Sequence, residues 1–129
     1  MNIEIREAEC KGRGVFAKRD IRAGEILEDA PVIVLPADQR EMVLRTHLYE
    51  YVFQWGKDRV AVCLGWGSIY NHSRNPNACY VRHFEERYIR FEALRDIHQG
   101  EEILTNYNGN PCGSKPLWFE ESAPLDSNK

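Results

Sequence analysis

The chain has 129 residues, 43% of them apolar and 29% charged, with a net charge of −3. That is one domain's worth of ordinary globular sequence, large enough to build a core without disulfide or metal staples. The mildly acidic balance excludes the basic footprint of a direct nucleic-acid binder, and the longest apolar run, Pro31–Pro36, falls far short of the roughly twenty residues of a membrane span.

In chain order, Ile3–Arg6 alternates apolar and polar residues and predicts a first strand rather than a secretory leader. Gly12-Arg13-Gly14 predicts a turn, with a short strand at Val15-Phe16-Ala17 after it. A second turn at Ile21–Glu25 launches Ile26–Leu35, whose Val32, Ile33 and Val34 favour a strand. Pro31 inside that stretch implies a bend or an edge position. Between Asp38 and Leu48 the pattern becomes helical, with Asp38 as cap and Glu41 three residues on. Tyr49–Trp55 and Arg59–Leu64 predict two strands around the turn Gly56-Lys57-Asp58. Cys79–Phe84 and Arg87–Ala93 form a hairpin tipped by Glu85-Glu86, and Glu102–Tyr107 is a last strand. The expectation is therefore a mainly β fold with little helix, a domain over residues 1–121 and a frayed polar tail over 122–129.

Four cysteines, Cys10, Cys63, Cys79 and Cys112, include no Cys-x-x-Cys pair, so no metal site is expected and free thiols in a reducing compartment are the reading. Without a leader the chain is expected to be cytoplasmic, or nuclear if eukaryotic, and not secreted.

Three motifs carry more than structure. In Lys11-Gly12-Arg13-Gly14-Val15-Phe16-Ala17 two glycines allow a ligand close to the backbone, although a plain tight turn explains them as well. The stretch also fits G-x-G-x-x-A, but that dinucleotide fingerprint needs a following crossover helix. Gly24 comes too soon for one, and a strand follows, so a nicotinamide-dependent oxidoreductase is disfavoured. In Asn71-His72-Ser73-Arg74-Asn75-Pro76-Asn77 amide and hydroxyl groups crowd around one histidine, as a polar ligand or a buried chain crossing would require. In Gly100-Glu101-Glu102-Ile103-Leu104-Thr105-Asn106-Tyr107 a turn leads into a strand ending on a tyrosine, and Trp118-Phe119 follow a Gly/Pro-rich link.

Taken in order, GRGVFA, YNHSRNPNA and GEEILTNY resemble the SET-domain lysine methyltransferases, and among them the small stand-alone proteins of viruses and bacteria. The resemblance runs from about Gly12 to Tyr107, with a looser echo through Phe119. It implies a β-clip of several small sheets with a C-terminal pseudoknot, and methyl transfer from S-adenosylmethionine to a lysine amine of a protein substrate. It implies cofactor contacts at Lys11, Arg13, Gly14, Phe16, Asn71, His72, Tyr107 and Trp118, and a lysine channel walled by Tyr51, Tyr80 and the catalytic Tyr107. The substrate would be a lysine-bearing segment, from a histone or another basic protein, and a homodimer is expected by analogy with small relatives. The chain departs from the pattern at Asn108, where relatives often carry glycine, and at Arg13, where some small relatives carry an aromatic. A lone Cys112 cannot supply the zinc-binding triad that some relatives have. The competing reading is a non-catalytic SET module that grips lysine segments; the presence of Tyr107, Asn71 and His72 argues against it.

Overall fold

The computed structural model describes residues 2–106. Among these residues nine strands run in the order β1 (Ile3–Ala8), β2 (Gly12–Ala17), β3 (Ile26–Leu35), β4 (Val52–Trp55), β5 (Arg59–Cys63), β6 (Asn71–His72), β7 (Ala78–His83), β8 (Tyr88–Ala93) and β9 (Glu102–Thr105). Among the described residues one short helix, α1 (Arg40–Leu44), lies between two 3-10 turns at Ala37–Gln39 and His47–Glu50. The strands form a four-stranded sheet, β1-β2-β9-β6, and a five-stranded sheet, β4-β5-β3-β8-β7. The mainly β expectation holds, as several small sheets with little helix.

The five-stranded sheet is organised by β3, which changes partner halfway. Residues from Ile26 to Pro31 pair with β8, and Val32–Leu35 pair with β5. Pro31 sits at the changeover, where its carbonyl accepts from the Leu64 N–H at 2.8 Å just beyond the end of β5. The proline thus lacks a donor only where the ladder is closing, which is how a central strand tolerates it. The hairpin β7–β8 pairs in continuous register from Ala78↔Ala93 to His83↔Tyr88, with Arg87 in the left-handed region at φ 61° to turn the corner. Inside this sheet lie the bulkiest fully buried side chains, Trp55, Tyr70, Phe53 and Phe91. Phe91 stacks on Tyr70 with ring centroids 4.6 Å apart and meets Phe53 edge-on at 6.4 Å, so aromatic geometry adds to area burial.

The four-stranded sheet is built from the two ends of the described chain. β2 pairs with β1 along its whole length and with β9 at Val15↔Ile103 and Phe16↔Glu102. β6 then adds to β9 in parallel, Asn71↔Leu104 and His72↔Thr105. A two-residue strand has no periodicity that the sequence could reveal.

Other departures have local causes. Gly12-Arg13-Gly14, expected as a turn, opens β2; the reversal comes earlier, at Cys10, which takes φ 62°. The helix expected from Asp38 is shorter and capped differently. Pro36 precedes the first 3-10 turn, with Asp38 inside it and making no cap bond. Thr46 ends the helical run, donating to the Val43 carbonyl at 2.7 Å and accepting from the Leu48 N–H at 3.1 Å. That local side-chain bonding competes with helix continuation. Tyr49 accordingly falls in the second 3-10 turn, and β4 begins only at Val52. Cys10 and Cys63 are free thiols, but Cys79 is disulfide-bonded, against the expectation for the cysteines as a set. The expected domain limit at residue 121 and the frayed tail lie outside the described residues. Among the described residues no helix is long and apolar enough to cross a membrane, and no three metal-ligating side chains gather.

Candidate active site

The three motifs found in the sequence meet where β2, β6 and β9 come together. Asn71, on β6, directs its amide nitrogen at the Glu102 Oε2, 2.7 Å away, and at the Arg13 carbonyl, 3.0 Å away. Glu102, the first residue of β9, uses its other oxygen to hold the Lys11 ammonium at 2.7 Å. Gly14 lies against this junction: a Cβ there would fall on the Glu102 carboxylate and within 2.9 Å of the Asn71 amide nitrogen. Close approach, rather than an unusual φ, explains this glycine.

Beside the junction opens a cavity of about 380 Å³. The turn into β2 contributes Lys11, Gly12 and Arg13; the stretch before β4 contributes Glu50 and Tyr51; the segment leading into β6 contributes Ser68, Ile69 and Asn71. Its volume lies in the roughly 300–1,000 Å³ range of small-molecule sites. Ser68 ties two of these walls together, donating to the Tyr51 carbonyl at 2.9 Å. His47 meets the Tyr51 ring edge-on at 5.4 Å, bracing the tyrosine from outside.

The polar block after Asn71 divides its labour. Asn77 is 1% exposed and works as a clamp on β9: its side chain donates to the Glu102 carbonyl at 2.9 Å and accepts from the Leu104 N–H at 2.8 Å. Ser73 accepts from the Asn75 N–H at 3.0 Å, forming the turn between them. Asn77 thus ties this block to β9, while Asn71 lines the cavity.

The loop that delivers Asn71 is anchored from below by a buried carboxylate. Glu28, on β3, accepts from the Tyr70 hydroxyl at 2.8 Å and from the Trp66 N–H at 3.3 Å. Burial pushes the Glu28 carboxyl above its ordinary value, against the opposing pull of the Tyr70 and Trp66 hydrogen bonds. Burial, with the adjacent carboxylate, also pushes the Tyr70 phenol well up. Glu101 behaves oppositely: partial burial opposes its charge, but the His98 N–H, the Asn77 amide and Arg95 outweigh that and hold its carboxyl low.

Of the residues named from sequence, Lys11, Arg13, Asn71 and Tyr51 line one cavity, with Gly14 at its edge. Phe16 lies instead beneath the Arg6 guanidinium, 4.3 Å from its ring centre, and does not line the cavity. His72 takes its place in the β6–β9 ladder opposite Thr105. Tyr80 is 2% exposed, its ring 5.5 Å from Phe53 and 5.9 Å from Phe91 in the aromatic core. Tyr107 and Trp118 lie outside the described residues. Sequence reasoning missed Glu102, Glu50, Ser68 and Ile69. For Glu102 the signal was present in Gly100-Glu101-Glu102, but strand alternation alone does not reveal that one carboxylate backs a pocket wall by bonding to Lys11 and Asn71.

This arrangement of small curled sheets with a polar crossing between distant segments defines a class, and residues 12–108 match the SET domain family. The chain belongs to the SET-domain family. It is 36% identical over 122 residues to a Schizosaccharomyces pombe histone-lysine N-methyltransferase described as specific for lysine 37 of histone H3, covering 94% of this chain and 79% of that protein. It is 33% identical to an Eremothecium gossypii histone-lysine N-methyltransferase described as H3 lysine-36 specific, covering 93% of this chain but only 19% of that longer protein. The fold superposes on the crystal structure of a Plasmodium falciparum protein assigned as a histone methyltransferase, with TM-score 0.71, 29% identity, and coverage of 86% of this chain and 96% of that one.

Proposed function

We propose that the cavity beside Asn71 binds S-adenosylmethionine and that this chain is an S-adenosylmethionine-dependent protein-lysine methyltransferase. The observation that carries the reading is the convergence of three distant motifs on one polar junction beside the cavity, in a SET-domain chain whose relatives are named histone-lysine methyltransferases. When bound, the cofactor supplies a methyl group on a positively charged sulfur.

The residues present fit its amino-acid end. Both acceptors facing the Asn71 amide nitrogen, a carbonyl and a carboxylate, require the NH₂ group on that side, which leaves Oδ1 as an acceptor for an ammonium group. Lys11 supplies a cation at the same wall for a carboxylate. The backbone at Gly12 and Arg13, free of bulk at Gly12, offers polar groups for the rest of the ligand.

The chain's remaining task is to hold a neutral lysine amine in line with the sulfur–methyl bond. Positioning of that kind contributes several kcal/mol of barrier reduction, of the order seen in oriented intramolecular reactions. Tyr51, on the cavity wall, and Tyr80, set in the aromatic core, are proposed as channel residues. Aromatic faces attract the cationic side chain on entry, and a drier interior favours its neutral form. Tyr107 is proposed to orient the amine through its hydroxyl. His72, Phe16, Gly14 and Trp118 remain proposed cofactor contacts, direct or through the backbone.

The named specificities of the relatives support a histone substrate, with histone H3 as the first to test, and a nuclear location if the chain is eukaryotic. Incubation with radiolabelled S-adenosylmethionine and histones is expected to label lysine. Tyr107→Phe is expected to cut turnover by about a hundredfold or more, the scale of a positioned catalytic group, while leaving the melting temperature unchanged. Wild-type turnover in that variant would remove Tyr107 from the chemistry.

A further inference from the structure

We propose that Glu102 is a positioning residue whose carboxylate sets the hydrogen-bond polarity of the pocket wall, and thereby its preference for ligands with an amino-acid end. The proposal rests on the reading of the cavity as an S-adenosylmethionine site and adds a residue that does not itself line it.

Asn71 carries two donors on one end of its amide and an acceptor on the other, and the two ends have nearly the same shape. Left alone, the group could present either end to a ligand. Here its nitrogen is committed to two acceptors, the Arg13 carbonyl and the Glu102 Oε2. The carbonyl alone would give one bond; the carboxylate gives the second and, being charged, the stronger. Glu102 also holds Lys11 through its other oxygen at 2.7 Å, so one side chain aligns both the acceptor and the cation of the wall.

Three observations set this apart from an ordinary surface ion pair. The Glu102 side chain is 14% exposed, whereas Lys11 is 40% exposed, so the carboxylate is sunk behind the wall it organises. Its backbone is fixed independently, because the Glu102 carbonyl accepts from the buried Asn77 side chain at 2.9 Å. And the space it fills exists only because residue 14 is glycine. Residues of the first two motifs thus converge on one carboxylate supplied by the third.

Replacement of Glu102 by glutamine keeps the shape and spoils the pattern. Glutamine has one oxygen to offer, so either Lys11 or the Asn71 amide nitrogen meets an NH₂ group instead of an acceptor. Turning Asn71 over to suit the new donor sets its oxygen against the Arg13 carbonyl. The wall then no longer presents a fixed acceptor.

The test is calorimetric binding of two ligands to the folded chain. S-adenosylhomocysteine carries the amino-acid end; 5′-methylthioadenosine has the same adenosine and a thioether but lacks that end. For Glu102→Gln, affinity for S-adenosylhomocysteine is expected to fall about tenfold, or about 1.4 kcal/mol, with affinity for methylthioadenosine changed by less than about twofold. Equal losses for both ligands would overturn the proposal and make Glu102 a support of the pocket as a whole; no loss for either would overturn it too. Should the glutamine variant fail to fold, Glu102→Asp, which keeps the charge but is too short to reach both partners, is expected to show the same selective loss. If the unaltered chain binds neither ligand, the S-adenosylmethionine reading itself fails, an outcome separate from equal or absent effects in the variants.

Discussion

The two sheets hold their residues in place by different physics. In and against the five-stranded sheet Phe53, Tyr70, Tyr80 and Phe91 pack ring against ring, with Glu28 and Arg82 as buried charged side chains among them. In the four-stranded sheet the corresponding position is a polar junction, Lys11–Glu102–Asn71, closed over a glycine. Packing is tolerant of direction but not of volume; a hydrogen-bonded junction is the reverse. The first region should therefore set how stable the chain is, and the second what it binds.

The largest expected effect breaks the aromatic side. Phe91→Ala removes the ring shared by three aromatic neighbours at 1% exposure and is expected to cost about 3–5 kcal/mol, read by urea denaturation. A loss below about 1 kcal/mol would mean the cluster relaxes freely and does not govern stability.

A smaller effect concerns the charge beneath the loop. Because Glu28 has its carboxyl raised in the fold, its charged form is penalised there. Its contribution to stability is full below the unfolded value and is lost as pH rises through the folded one. Compared with Glu28→Gln, the unaltered chain is thus expected to gain stability as pH falls from neutral toward the ordinary carboxylate range. Thermal melts of both proteins across that range check this; a difference independent of pH, or one growing toward neutral pH, would contradict it. Glu101 and Asp29, both held low, act with the opposite sign and lose their contribution in acid, which is why the comparison must be made as a difference.

The smallest effect on stability sharpens the contrast from the other side. Asn71→Ala, at a half-buried position, is expected to shift stability by no more than about 1 kcal/mol. Its affinity for S-adenosylhomocysteine should nevertheless fall by about tenfold. Calorimetry beside a melting curve would show whether binding and stability separate as the two regions suggest.

What could be read from the sequence follows the same division. Strands that bury one face announce themselves by composition, and Ile26–Leu35, Arg59–Leu64 and the hairpin after Cys79 lie within a residue or so of where they were expected. The family resemblance found the three motifs and so the neighbourhood of the pocket. It could not find Glu102, because the carboxylate is given its meaning by Asn71, 31 residues away, and nothing in local pattern links them. It named Phe16 as a cofactor contact but could not show that its ring lies beneath the Arg6 guanidinium. Thr46 stopped a helix that capping logic had extended, and the left-handed conformation expected at the glycine pair occurs at Gly12 and also at Cys10.

The pairing of Val15 with Ile103, and of Asn71 with Leu104, has a consequence for how the molecule comes into being. On a ribosome the early strands emerge long before their last partner. Lys11 and Asn71 would wait, correctly made but unconnected, until the segment bearing Glu102 left the exit tunnel. Such distant pairings are slow to close, so the polar junction is completed only once the late strand has docked against both early segments.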